Sequence, residues 1–270
     1  MNSDKNSAVL IVGCGWVGKK LGEKLLSDGF TVYGTTRSSS NFSELNEVGI
    51  KPVKLELPVK SLSEVRLPET DTVLISISPG RGPNRDEYPT QIGQLSEVLA
   101  ERNAQVIMYS STSAYGNSTH EVSESDATPD VESENVILAA EGALLEHSPD
   151  AVILRLCGLY GEDRHPAKYM AGRTDISDGD APVNLVHRDD VIQITKKVIH
   201  EDIRGEIFNV CSGSHPSREE IYTIIAGRMG LKEPTFVEGG ADGKTVSSKK
   251  LLEQFDFKFL HPDPEGYLAD

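Results

Sequence analysis

The sequence predicts an α/β protein built on a doubly wound parallel sheet, and three observations carry that expectation. Short apolar runs rich in Val and Ile recur along the chain, stretches with helical spacing lie between them, and a glycine pattern joins the first run to the first helical stretch. The runs are apolar throughout rather than alternating, as expected of strands covered by helices on both faces.

Taken in order, "AVLIVG" at 8 to 13 is the first strand and "VGKKLGEKLLSDGF" the helix after it. "TVYGTT" at 31 to 36 and "PVKLEL" at 52 to 57 are the second and third strands. "TVLISI" at 72 to 77 is the fourth, "YPTQIGQLSEVLAERN" the helix that follows, and "QVIMYS" at 105 to 110 the fifth strand. "SENVILAAEGALLEH", residues 133 to 147, reads as an amphipathic helix whose polar side holds carboxylates, a serine and an asparagine until His147. "AVILRL" at 151 to 156 and "EIFNV" at 206 to 210 supply the sixth and seventh strands, with the helix "DDVIQITKKVIH" between them and Asp189 and Asp190 as its caps. Residues 158 to 182 and 237 to 246, rich in Gly, Asp and Pro, read as irregular structure.

Bulk composition removes several function classes. Lys+Arg 27 against Asp+Glu 42 gives a net charge of −15, with no basic patch to attract nucleic acid or an anionic membrane surface. The N-terminal apolar run is too short for a signal-peptide core or a membrane span. Three scattered cysteines, Cys14, Cys157 and Cys211, suggest neither a disulfide framework nor a metal site, so a reduced, cytoplasmic setting is expected. The seven histidines show no paired spacing, and no metal is expected.

Gly13, Gly15 and Gly18 form a GxGxxG pattern directly after a strand and at the start of a helix. The first glycine permits the turn, the second lets backbone approach a pyrophosphate, and the third lets helix and strand pack closely. The helix start, with Trp16 and Val17, offers free N–H groups to the anion. An acidic residue for the ribose of NAD is expected roughly 20 residues on. Thr36 stands there instead, followed by Arg37 and Ser38. A guanidinium suits the 2′-phosphate of NADP, so NADP is expected over NAD, which stays possible; a solvent-facing Arg is the plainer alternative. Cys14 lies in this loop near a helix start, where a thiol pKa is often lowered.

With the glycine motif, "YSSTSAYG" at 109 to 116, "LRLCGLYG" at 154 to 161, "NLVHRDDV" at 184 to 191 and "FNVCSGSHPSREEIY" at 208 to 222, the chain resembles the extended short-chain dehydrogenase/reductases, the NAD-dependent epimerase/dehydratase family. The resemblance implies a Rossmann domain at 7 to 156, its sheet completed by about 183 to 211, and a smaller substrate lobe mainly in 157 to 270. It further implies hydride transfer on a small polar or sugar-nucleotide-type substrate. The family's catalytic Ser or Thr falls on Ser111, which equally suits a capped turn after the strand. The family's YxxxK pair falls on Ser133 and Ile137, so the general acid and its lysine are expected to be missing, as in the atypical branch of the family. Tyr115 and His187 are the alternative proton donors, and Arg173, Asn184 and Arg188 the alternative substrate contacts. Relatives often dimerise through helices corresponding to about 91 to 101 and 133 to 147, which makes a homodimer possible here. A dinucleotide-binding sensor or scaffold without catalysis is the rival reading.

Overall fold

The computed structural model describes residues 7–80, 82–162 and 164–266. Its elements run β1 (Ala8–Val12), α1 (Trp16–Ser27), β2 (Thr31–Thr36), α2 (Phe42–Glu47), β3 (Lys51–Lys54), β4 (Thr72–Ile75), α3 (Tyr88–Leu99), β5 (Gln105–Ser111), β6 (Glu121–Val122) and α4 (Val136–Leu145). They continue with β7 (Val152–Leu156), β8 (Gly158–Tyr160), α5 (Ala167–Met170), β9 (Leu185–His187), α6 (Arg188–His200), β10 (Ile207–Val210), α7 (Arg218–Arg228), β11 (Thr245–Val246) and α8 (Lys249–Phe255).

Seven strands form a parallel sheet in the order β10-β7-β5-β4-β1-β2-β3. The order reverses between β1 and β4, which register Val9 on Thr72 and Val12 on Ile75. In such sheets this reversal opens the crevice where ligands sit. β1, β4, β5 and β7 are almost wholly buried, as their unbroken apolar runs require; β2 and β3 at one edge are partly exposed. The third strand stops at Lys54, three residues short of the expected 57. Segments expected to be irregular contain short pieces of order: β8 and α5 within 158 to 182, and β11 at the end of 237 to 246.

Contacts divide the chain into two units. The first comprises 1–110, 128–154 and 195–207, the second 111–127, 155–194 and 208–270. In the first, α1 buries Val17, Gly18, Leu21, Gly22 and Leu25, one helical face at spacings of three and four. α4 differs from its expected form. It starts at Val136, capped by Asn135, whose side chain accepts the Ile137 N–H at 3.0 Å, and seven of its ten residues are buried. The Glu141 carboxylate, expected on a solvated face, is fully buried and accepts the Ser110 hydroxyl at 2.5 Å. α3 packs on this helix, and Ser96 Oγ donates to Leu144 O at 2.6 Å. In the second unit, Tyr160, Ala167, Val183, Leu185, Ile221, Tyr222 and Ile225 form a separate apolar cluster.

Candidate functional site

The crevice in the first unit is a cavity of about 700 Å³ whose lining runs from Val12–Gly15 through Thr35–Ser38, Asn41, Leu55 and Leu57 to Ser76–Gly80, Asn84, Arg85, Glu87 and Gln91. That volume is within the range of small-molecule sites. Gly13 has φ +84°, and a Cβ there would lie 2.6 Å from Ile77 Cγ2 and 3.0 Å from Ile77 N. Its own N–H donates to Thr35 Oγ1 at 2.9 Å, which ties the loop to β2. Gly15 is different: a Cβ there would meet nothing within 4 Å, because it faces open space. Gly18 is a packing position, where a Cβ would stand 2.8 Å from Ile11 Cγ2. Trp16, Val17 and Gly18 are not among the lining residues, and Val17 is buried in the helix face.

α1 has Gly15 as its N-cap, with no side-chain cap bond and no acidic residue in its first turn. The positive end of the helix dipole therefore lies at the cavity's glycine loop. At the end of β2, Asn41 Nδ2 donates to Thr36 Oγ1 at 3.2 Å, and Ser38 Oγ accepts the Ser40 N–H at 3.2 Å. These bonds shape a hydroxyl- and amide-lined turn beside Arg37, which is exposed and has no ion-pair partner among the described residues. Thr35, Asn41, Leu55 and Gln91 were not singled out by the sequence. The "RSSSN" turn was the available signal for Asn41, since a serine cap turns the chain back on itself. Glu56, the residue between two lining leucines, is exposed and outside the lining. Burial pushes the Cys14 thiol up to about 12, opposite to the lowering expected at a helix start, because desolvation of the thiolate outweighs the nearby Lys19 charge.

In the second unit Ser111, the last residue of β5, caps the 3-10 turn Thr112–Tyr115. Its Oγ accepts the Ser113 N–H at 3.1 Å. The Tyr115 hydroxyl donates to Asn209 Oδ1 at 2.6 Å and accepts from Arg155 at 3.1 Å, while burial raises its pKa. A phenol held at both donor and acceptor positions and pushed upward is poorly placed to release a proton. His187 is buried against the Tyr160 and His261 rings, and desolvation, with His261 adding to it, lowers its pKa to about 4. The ring is therefore neutral near pH 7.

Asp189 and Asp190 lie in the first turn of α6, but Asp190 caps nothing there. Its carboxylate accepts the Leu260 and His261 N–H groups at 2.5 and 3.1 Å, fastening a distant segment. Arg188 is buried and pairs with Glu162 at 2.5 Å, and Asn184 spends its amide on Lys244 O and Val246 N. Arg173 is exposed. His187, Asp189 and His261 bring three potential metal-ligand atoms within 4.8 Å of one another. His187 Nδ1 accepts the Asp189 N–H at 3.1 Å, so that nitrogen's lone pair is already engaged.

A family model described as the NAD dependent epimerase/dehydratase family matches residues 9–211. The chain belongs to this family. It is 32% identical over 266 residues to protein YeeZ of Escherichia coli K12, covering 95% of this chain and 97% of that protein. Among solved structures, UDP-glucuronic acid 4-epimerase from Bacillus cereus in complex with NAD is similar at TM-score 0.77 and 22% identity, covering 97% of this chain and 96% of that one. Human epimerase family protein SDR39U1 with NADPH is similar at TM-score 0.73 and 14% identity, covering 97% of each chain. At these identities the structures establish the epimerase/dehydratase fold. No helix among the described residues is long and apolar enough to cross a membrane.

Proposed function

We propose that this chain is an NADP-binding oxidoreductase or epimerase-like protein, with NAD as the weaker ligand, acting on a small polar or sugar-nucleotide-type substrate. The observation that carries the reading is Arg37, unpaired in a strongly acidic chain, standing with Ser38 and Asn41 where an acidic ribose ligand is absent. A 2′-phosphate satisfies this arrangement by charge-assisted hydrogen bonds, and a 2′-hydroxyl does not. The residues fit the rest of the dinucleotide as well. Gly13 and Gly15 let backbone close on a pyrophosphate at the uncapped start of α1, and Leu55 and Leu57 offer apolar surface to a base. Support also comes from the family itself and from fold neighbours that hold NAD or NADPH.

When bound, the nicotinamide supplies hydride transfer to or from a carbonyl or hydroxyl carbon. Ser111 orients the substrate oxygen by hydrogen bonding. Tyr115 and His187 are the alternative proton donors, and the bonding of Tyr115 and the neutral ring of His187 favour Ser111 as the residue to test first. The protein works without a membrane or nucleic acid, in the cytoplasm. Homodimerisation through α3 and α4 is open to gel filtration, where elution as a single 29 kDa species overturns it.

Calorimetric titration with NADPH and with NADH, repeated on Arg37→Ala, tests the cofactor reading. NADPH is expected to bind at least tenfold more tightly, about 1.4 kcal/mol, with the gap erased in the variant. Equal affinities overturn the preference, and no binding of either overturns the function.

A second reading, a non-catalytic NADP sensor or scaffold, is favoured by α4. Where the family alignment puts a tyrosine and a lysine, Ser133 lies ahead of the helix and Ile137 is 2% exposed, so neither a phenol nor a cation is supplied. Turnover of NADPH with a panel of carbonyl and sugar-nucleotide substrates, lost in Ser111→Ala at unchanged affinity, distinguishes the enzyme from the sensor.

A further inference from the structure

A second arginine lines the cavity that holds Arg37. Arg85 lies in the 3-10 turn Pro83–Glu87 leading into α3, is exposed, and like Arg37 has no carboxylate partner among the described residues. Two guanidiniums without carboxylate partners therefore line one cavity in a chain of net charge −15. Lys19 and Lys196 of the same unit are answered, by Glu44 at 2.8 Å and Asp28 at 2.7 Å, whereas Lys24, Lys54 and Lys60, outside the cavity lining, have no carboxylate partner among the described residues. Among the described residues Glu87 is the one acidic member of the lining, and it stands at the N-terminal end of α3, where the helix dipole favours a carboxylate.

The anchoring of α3 indicates which end of the cavity Arg85 serves. Gln94 makes two hydrogen bonds with the Val59 backbone, accepting its N–H at 2.8 Å and donating to its carbonyl at 3.0 Å. Gln91 donates to Leu57 O at 3.5 Å. The helix is thus fastened to the segment that follows β3, and β3 is the neighbour of β2, registering Thr36 on Lys54. The turn carrying Arg85 therefore leads into a helix whose Gln91 and Gln94 are tied to the segment following β3, while Ser96 bonds it to α4, and the same cavity lining takes in Thr36 at the end of β2 with Arg37 and Ser38 after it.

We propose that Arg85 is the second cation of the 2′-phosphate site, so that the phosphate is gripped between a guanidinium from the end of β2 and one from the turn before α3. The inference rests on the NADP reading above. Its physical basis is charge matching: a phosphate monoester carries about −1.5 to −2 at pH 7, which one guanidinium leaves half neutralised and two balance. Planar guanidiniums also bind phosphate oxygens in pairs, so two of them fix its orientation. A 2′-hydroxyl engages neither, which makes Arg85 a determinant of cofactor choice and not of dinucleotide binding in general.

The test titrates the full-length protein with 2′,5′-ADP and with 5′-AMP, which share adenosine and the 5′-phosphate and differ in the 2′-phosphate. Wild type is expected to prefer 2′,5′-ADP. Arg85→Ala is expected to weaken 2′,5′-ADP about tenfold and change 5′-AMP by less than twofold, with Arg85→Lys recovering part of the loss. Equal losses for both ligands place Arg85 on the shared part of the nucleotide and overturn the proposal, as does no loss for either. A wild type without preference for 2′,5′-ADP overturns the NADP reading and this one with it. A wild-type preference abolished by Arg37→Ala but untouched by Arg85→Ala overturns the second-cation role alone. Because Arg85 is exposed and unpaired, its variants retain the fold, which thermal unfolding of each checks.

Discussion

Gly13→Ala and Gly15→Ala form a pair that separates folding from nucleotide binding. At Gly13 the backbone sits at φ +84°, a left-handed conformation that costs a residue with Cβ about 1 to 2 kcal/mol. The added Cβ would also stand 2.6 Å from Ile77 Cγ2, 3.0 Å from Ile77 N and 3.1 Å from Ser76 C. The last two are backbone atoms directly after β4, hydrogen-bonded back to β1 through Ser76 N to Val12 O at 2.7 Å, so they cannot move aside without disturbing the sheet. Overpacking of this kind costs about 1 to 3 kcal/mol, and the two effects together destabilise Gly13→Ala by about 2 to 5 kcal/mol. At Gly15 φ is −93° and the Cβ meets nothing within 4 Å, so Gly15→Ala changes stability by less than about 0.5 kcal/mol. The open space there is cavity, and the same methyl group keeps a pyrophosphate from the α1 amides, weakening NADPH at least tenfold. Urea unfolding and calorimetric NADPH titration of both variants read the two effects. A Gly13→Ala protein as stable as wild type refutes the steric reasoning; a Gly15→Ala protein that binds NADPH normally removes the nucleotide from that space.

Two further outcomes follow from buried groups. Burial lowers both His165 and His187 to about 4, the latter with help from His261, below the ordinary value near 6.5. A base whose folded value is depressed contributes its full stability above the unfolded value and loses it as pH falls, so stability drops between pH 6.5 and 4 by about 1 to 3 kcal/mol per ring; NMR titration showing either ring with a midpoint near 6.5 contradicts this. Glu141→Ala leaves the Ser110 hydroxyl, 8% exposed, without its acceptor and opens a cavity in α4, costing about 2 to 4 kcal/mol in urea unfolding. Glu141→Gln keeps an acceptor and costs less; equal losses in the two variants refute the role given to that hydrogen bond.

The sheet was legible because a strand shielded on both faces must be apolar along its whole length, and β1, β4, β5 and β7 advertise this in four or more consecutive residues. The edge strand β3 exposes Lys51 and Lys54, so its pattern blurs into the following segment, and its end was placed too late. α4 departs from its sequence pattern for a different reason. Periodicity counts every glutamate as solvent-seeking, whereas Glu141 is satisfied by a serine 31 positions away, and nothing local announces that partner. Asp190 repeats the lesson: it resembles a helix cap in sequence, yet its partners are 70 and 71 residues downstream. The same distinction divides the candidate site. Gly13 to Gly18 and Thr36 to Ser38 are contiguous pieces whose chemistry is written locally, one as a turn requirement and the other as a missing acid. Arg85, Asn84 and Gln91 enter the lining only because α3 is fastened beside the segment following β3, through side-chain bonds to Leu57 and Val59. A local motif therefore names the part of the cavity lining that the chain builds in one pass. The rest of the lining, Arg85 included, draws on residues returned by a crossover, where the deciding information is long-range packing.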